Sequence, residues 1–189
     1  MNLLFKLTDK DFGIEPQEMN NFRLRLAARG IVVREDGKIA IQNKKNKNEY
    51  KLVGGGMEED EDPQEAFKRE VLEEAGCEID IIRKLGIIEE YKSLQNLKQI
   101  SNIFIAKVIK DIHILNLTAK EKSEGSELLW LYPKEALELV TNCYDKLLPS
   151  DFEDVYSTRF VVLRDRKILE YYINNWLQKS TRSQIERLS

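Results

Sequence analysis

Histidine, cysteine and proline are scarce in this chain of 189 residues, which holds one His, two Cys and four Pro. Cys77 and Cys143 cannot make a disulfide framework, and with His113 as the single imidazole they offer no zinc-ligand spacing. Catalytic zinc is not expected. Serine and cysteine hydrolase chemistry is not expected either, because no nucleophile motif accompanies His113, which sits in an alternating stretch and reads as a strand-surface residue. No window approaches the roughly 18 to 20 consecutive apolar residues of a membrane span, and the opening MNLLFKLTDKDFG turns acidic before a signal-peptide hydrophobic region develops. The expectation is a cytoplasmic protein with no membrane partner. A large excess of one charge is missing too: 30 Lys and Arg against 33 Asp and Glu give a net charge of −3. Nucleic acid is therefore an unlikely partner on electrostatic grounds, and the run Lys44-Lys45-Asn46-Lys47 reads as a solvated loop.

What is present is the composition of a globular protein, 42% hydrophobic and 33% charged, with a length that suits one α/β domain carrying extensions. We divide the chain into an N-terminal extension (1–22), a catalytic-type domain (23–145), a C-terminal helical extension (146–180) and a polar tail (181–189). Residues 25–34 and 38–42 read as two strands joined at Asp36-Gly37, where glycine supplies the positive φ of a tight turn. A short strand ending at Val53 runs into Gly54-Gly55-Gly56, a backbone that something must approach closely. Residues 77–91, 99–109 and 128–132 are β-rich, with a polar turn over 120–126. Pro133 opens a helix to about Thr141, and apolar spacing from Ile168 to Leu177 predicts an amphipathic helix over 165–179. That apolar stripe is compatible with a homodimer contact.

The informative segment is the helix between two explicit ends. Asp62 suits the N-cap, Pro63 the first helical position and Glu65 a capping box, while Gly76 stops it; Ala66, Phe67, Val71 and Ala75 form its buried stripe. Glu70, Glu73 and Glu74 stand at i, i+3 and i+4, so their carboxylates share one face and repel unless a cation intervenes. Oxygen donors without His or Cys point to Mg²⁺ or Mn²⁺, and Mg²⁺ leaves coordination positions for substrate phosphate. Arg69 is placed to orient one of these carboxylates by a forked hydrogen bond, and Glu61 to pair with Arg69 or to accept backbone N–H bonds at the positive helix end.

The stretch from Gly55 to Cys77 resembles the box of the Nudix hydrolase family, G-x5-E-x7-R-E-U-x-E-E-x-G-U with U aliphatic. Gly55, Glu61, Arg69, Glu70, Val71, Glu73, Glu74 and Gly76 fill its demanding positions, and Cys77 replaces the final aliphatic residue. The resemblance implies an α/β/α sandwich with a mixed sheet, to which the C-terminal helix is added, and metal-dependent hydrolysis of a phosphoanhydride. The substrate it implies is a nucleoside diphosphate linked to another moiety: a nucleotide sugar, ADP-ribose or a nucleoside triphosphate. It further implies Glu70, Glu73, Glu74 and the Gly54 carbonyl as the metal ligands, with Glu70, Glu73 and Arg69 in the catalytic set. Members take the water's proton with a box glutamate or with one from a later loop, for which Glu124 and Glu127 rank ahead of Glu121. Tyr91, Phe104 and Trp130 are expected in the core more than on a base, and Arg23, Arg25 and Arg29 either meet phosphate or are merely solvated. The competing reading is a non-catalytic nucleotide-sensing or partner-binding protein on the same fold.

Overall fold

The computed structural model describes residues 2–177, and the strand that organises it is β2 (Arg23–Val33). β2 runs parallel to β7 (Leu97–Asp111) along its whole length, from the Arg23–Leu97 pair to Val33–Lys107. β7 is antiparallel to the long β6 (Cys77–Lys92), and β6 carries β1 (Leu3–Thr8) in parallel on its outer edge. The segment 1–22 therefore contributes an edge strand that its composition does not announce. On its other edge β2 pairs with the three-residue β5 (Gly54–Gly56). A second, antiparallel group sets β3 (Ile39–Lys44) between β4 (Glu49–Leu52) and β8 (Ser126–Leu131).

The turn at Asp36-Gly37 forms as expected, with Gly37 at φ 80° and the Arg34 N–H donating to the Lys38 carbonyl at 2.9 Å. Pairing across it nevertheless stops at Val33–Ile39. Beyond that point β5 takes the edge of β2, and β3 turns to β4 and β8 instead. The two strands diverge, and the candidate site occupies the wedge between them.

Alternation along β2 sends Ala28 and Val32 to one face and Ile31 to the other. The first face packs on α1 (Pro63–Ala75) through Ala66, Phe67, Val71 and Ala75, with Phe67 stacked on Phe104 at a centroid distance of 5.4 Å. Cys77 is buried in this layer, so its substitution for an aliphatic residue is accommodated as packing. The second face packs on α3 (Pro133–Cys143) and α4 (Val155–Tyr172) through Ala136, Val140, Val162, Ile168 and Leu169. The result is a mixed sheet between helical layers, the α/β/α arrangement expected. Among the described residues no helix is long and apolar enough to cross a membrane.

Several expectations need correction. The helix expected over 165–179 begins at Val155, capped by Asp154, and gives way after Tyr172 to a π-helical turn, Ile173–Leu177. Its first turns escaped detection because their inward residues include Ser157, Thr158, Arg164 and Asp165, all buried and all polar. Residues 178–179 of that helix and the tail 181–189 lie outside the described residues. The turn over 120–126 contains α2 (Ala119–Ser123), with Thr118 and Glu121 forming a capping box. The lysine run is not solvated: Lys44 and Lys47 are buried, Lys44 against Glu124 at 2.6 Å and Lys47 against Glu49 and Glu153 at 2.7 and 2.6 Å. Tyr91 stays half-buried beneath Lys6 and Lys98 instead of entering the core, whereas Phe104 is fully buried.

α4 is tied to the sheet by charge as well as by hydrocarbon. Arg164 is buried, donating to Glu90 at 3.2 Å and to its neighbour Asp165 at 2.7 Å, while Asp165 accepts the Leu52 N–H at 2.9 Å. Burial alone would raise the Glu90 pKa, yet Lys92 and Arg164 hold it at about 2. Its folded pKa is below its unfolded value, so the stabilisation is complete above about pH 4.5 and is lost as pH falls toward 2. Glu90→Gln is expected to lower stability at pH 7 by roughly 3 kcal/mol, the order for breaking a buried pair. Chemical denaturation at a series of pH values should show the gap to wild type closing between about pH 4.5 and 2; a constant gap would contradict the assignment.

Candidate active site

The Asp62 carboxylate accepts the Gln64 and Glu65 N–H groups at 2.6 and 3.1 Å, and Gly76 closes α1 in the left-handed region at φ 62°. A Cβ at Gly76 would lie 2.8 Å from the Ile114 carbonyl, so this glycine also lets the following loop pack on the helix end. Both ends of α1 being fixed, its register places Glu70, Glu73 and Glu74 beside the glycine strand. The close approach implied by the glycine run is that of Glu70: a Cβ at Gly55 would stand 2.4 Å from its carboxylate oxygen. Glycine is required at 55 because the carboxylate occupies that space.

Arg69 gathers the acidic groups. Its Nε and Nη2 make the forked contact with Glu61 at 2.9 and 3.0 Å, so Glu61 takes the pairing that sequence left divided among several acids. Glu61 also accepts the Glu58 N–H at 2.9 Å. The remaining nitrogen, Nη1, donates to Glu70 at 3.0 Å and Glu73 at 3.3 Å, and Nη2 reaches the Gly56 carbonyl at 3.0 Å. Glu74 is held separately, buried with its carboxylate accepting the Gly54 N–H at 2.7 Å and the Lys51 ammonium at 2.9 Å. Burial raises the pKa of Glu70 and of Glu74, with Arg69 and Lys51 respectively pulling the other way.

These groups line one cavity of about 450 Å³. Glu70, Glu73, Glu74 and Gly54 enter it from α1 and β5, Lys51 from β4, Arg29 from β2 and Glu121 from α2. Glu124 and Glu127, expected first among the later acids, do not line it. Glu124 is buried against Lys44 and accepts the Ser150 hydroxyl at 2.8 Å, and Glu127 pairs with Lys45 and Asn43 on β3. Glu121 is the member of that cluster which reaches the cavity, fixed by the N–H and hydroxyl of Thr118, both at 2.8 Å. The Thr118-x-x-Glu121 spacing was the available signal, a capping box hidden in a polar run. His113, exposed just beyond β7, takes no part.

Among the described residues no three carboxylates meet closely enough to hold a metal ion, because the protein's own cations lie between them. The donor set nonetheless fits a hard divalent cation: carboxylates and a backbone carbonyl, with no His or Cys among the lining residues, face a single cavity. The Lys51 ammonium lies 2.9 Å from Glu74 and 3.5 Å from the Gly54 carbonyl oxygen.

Comparison with known proteins agrees with this geometry. The NUDIX domain model matches residues 23–150. A MutT-like protein of Streptomyces ambofaciens is 28% identical over 131 residues, 69% of this chain and 79% of that protein. Diphosphoinositol polyphosphate phosphohydrolase 3-alpha of Mus musculus is 30% identical over 78 residues, 41% of this chain and 48% of that protein. The match thus spans about half of that mouse protein. In fold, the chain is similar to a NUDIX hydrolase from Nitrosomonas europaea, with a TM-score of 0.52 at 18% identity, covering 70% of this chain and 97% of that one. The chain belongs to the NUDIX family.

Gly55→Ala is expected to displace the Glu70 carboxylate and to lower kcat by about 10²-fold, since misplacement by about 1 Å is enough for such a loss. Because the clash falls on the end of a flexible side chain, the melting temperature should move little. A variant of full activity would show that Glu70 is not needed where it stands.

Proposed function

We propose that the protein cleaves a phosphoanhydride in a nucleoside diphosphate linked to another moiety, using Mg²⁺, with Mn²⁺ as a substitute. The observation that carries this reading is the convergence of Glu70, Glu73, Glu74, Glu121 and the Gly54 carbonyl on one cavity, with Gly55 making room for the Glu70 carboxylate. A diphosphate drawn against the Glu70, Glu73 and Glu74 carboxylates would be repelled by them without a bridging cation. Glu70, Glu73, Glu74 and the Gly54 carbonyl would hold the ion; when bound, it supplies Lewis-acid polarisation of a phosphoryl oxygen.

The chain's own groups do the rest. Arg69 fixes the rotamers of Glu70 and Glu73 and, through Glu61, ties α1 to the loop before it. Arg29, on the cavity wall, offers a guanidinium to a substrate phosphate. Glu121, which lines the cavity, is the later-loop candidate to take the proton of the attacking water, in place of Glu124 and Glu127, which ranked first among the later acids, with a box glutamate as the alternative. A small nucleotide-derived substrate suits a cavity of this size, and a cytoplasmic location and a homodimer remain part of this proposal.

The test is a panel of nucleotide derivatives assayed with Mg²⁺, Mn²⁺ or chelator, with the phosphorylated products identified. Pyrophosphate release marks a nucleoside triphosphate substrate, and two phosphorylated fragments mark a sugar nucleotide or ADP-ribose. Glu73→Gln is the informative variant because Glu73 is partly exposed, so the fold should survive its loss. Turnover should fall at least about 10²-fold and chelator should abolish it. Metal-independent turnover, or a Glu73→Gln enzyme of wild-type rate, would refute the proposal; nucleotide binding without turnover would favour the sensing protein.

A further inference from the structure

A second and larger cavity, about 950 Å³, adjoins the first, and Arg25, Lys120 and Glu153 line both. Its wall is a continuation of β2. Arg23, Arg25 and Arg29 fall on alternating positions of that strand, so their side chains leave the same face, with the small Ala27 between the last two. At about 3.3 Å per residue this row extends some 20 Å. Arg23 lies on the outer cavity, Arg25 on both and Arg29 on the inner one. The Arg25 guanidinium reaches the glycine strand, its Nη2 lying 3.5 Å from where a Gly56 Cβ would be.

These arginines are short of anions. None of the three has a carboxylate within ion-pair distance among the described residues; Arg23 and Arg25 are exposed, and Arg29 alone is buried, unlike Lys44, Lys47, Lys51, Lys92 and Arg164, which are buried and paired. Arg25 donates to the neutral Gln99 at 3.2 Å. Arg29 is 4% exposed, its Nε has no partner, and its nearest acceptor is the Gly54 carbonyl at 3.5 Å. Asp165 and Glu90 compensate the buried Arg29 guanidinium only from beyond ion-pair distance, so a ligand anion would complete its pairing. The acids of the outer cavity do not serve: Glu153 is bound to Lys47 at 2.6 Å, Asp154 caps α4 by accepting the Ser157 N–H at 2.7 Å, and Asp151 is exposed. One aromatic ring, that of the exposed Phe152, lines this cavity, which is little for stacking a base but no obstacle to a polyanion.

We propose that one arm of the substrate carries phosphate of its own, remote from the diphosphate that is cut, and that Arg23 and Arg25 seat it in the outer cavity. The substrate class is thus a polyphosphorylated small molecule in preference to a diphosphate with a neutral outer arm. The inference deepens the hydrolase reading above and rests on it for the position of the scissile bond.

The experiment uses the full chain and the Arg23→Ser/Arg25→Ser variant, both positions being exposed. Binding of inorganic tripolyphosphate without metal is measured by calorimetry at several salt concentrations. In parallel, kcat/KM is measured for pairs that differ by one remote phosphate, NADPH against NADH and coenzyme A against its dephospho form. The expected result is at least a tenfold preference for the more phosphorylated member, collapsing toward unity in the variant and restored by Arg23→Lys/Arg25→Lys. Tripolyphosphate binding should weaken at least tenfold in the serine variant and depend less on salt. Hydrolysis of both members without preference, or a tripolyphosphate Kd indifferent to the substitutions, would overturn the inference and leave the hydrolase reading intact. Arginine-dependent tripolyphosphate binding with no turnover of any substrate would support the anion seat and defeat the hydrolase reading.

Discussion

Arg69 is the contact on which the acidic end of this molecule depends. Three carboxylates of one helix turn line a partly dry cavity, with the loop glutamate Glu61 behind Arg69, an arrangement that repels itself unless each group finds positive charge. A single guanidinium meets Glu61, Glu70 and Glu73 together, and also the Gly56 carbonyl, so one side chain fixes the helix, its preceding loop and the glycine strand relative to one another. Lysine could not take this part, because a point charge lacks the planar fork that addresses several partners in set directions. Glu74 is outside the reach of Arg69 and is compensated instead by Lys51.

The same problem recurs across the sheet. Arg164, Glu90 and Asp165 form a buried charge group that locks α4 to the strands, and Lys44, Lys47, Glu49, Glu124 and Glu153 form another beside the cavity. Buried pairs of this kind contribute little net stability over apolar packing, but breaking one leaves an uncompensated charge. They therefore specify position. Here they set the backs of β3, β4 and α4, from which Lys51 and Glu153 reach the cavity. The arginine row of β2 stands apart from this pattern of paired charge, which is the ground for proposing that it meets a ligand anion.

Much of the fold was legible where local physics acts alone. The caps of α1, its apolar stripe and the Asp36-Gly37 turn are all determined within a few residues, and all stand where the sequence puts them. The box residues carried the site because helical spacing converts directly into a shared face. Less legible was whatever depends on distant partners. Lys44 and Lys47 look like a solvated run until Glu124, Glu49 and Glu153 arrive from far along the chain, and the first half of α4 hides its inward face behind buried polar residues. For the same reason the sequence could not separate the later acids: Glu121 and Glu124 are three residues apart, and only the packing of α2 shows that the first lines the cavity and the second meets Lys44.

The central claim of the proposed function is that Glu70, Glu73, Glu74 and the Gly54 carbonyl oxygen would hold a divalent cation where the Lys51 ammonium now contacts Glu74. Anomalous diffraction from crystals soaked in Mn²⁺ tests it directly. The account predicts a manganese peak among those oxygens, with the Lys51 ammonium moved away from Glu74. A peak elsewhere, or none while Lys51 keeps its contacts, would contradict it.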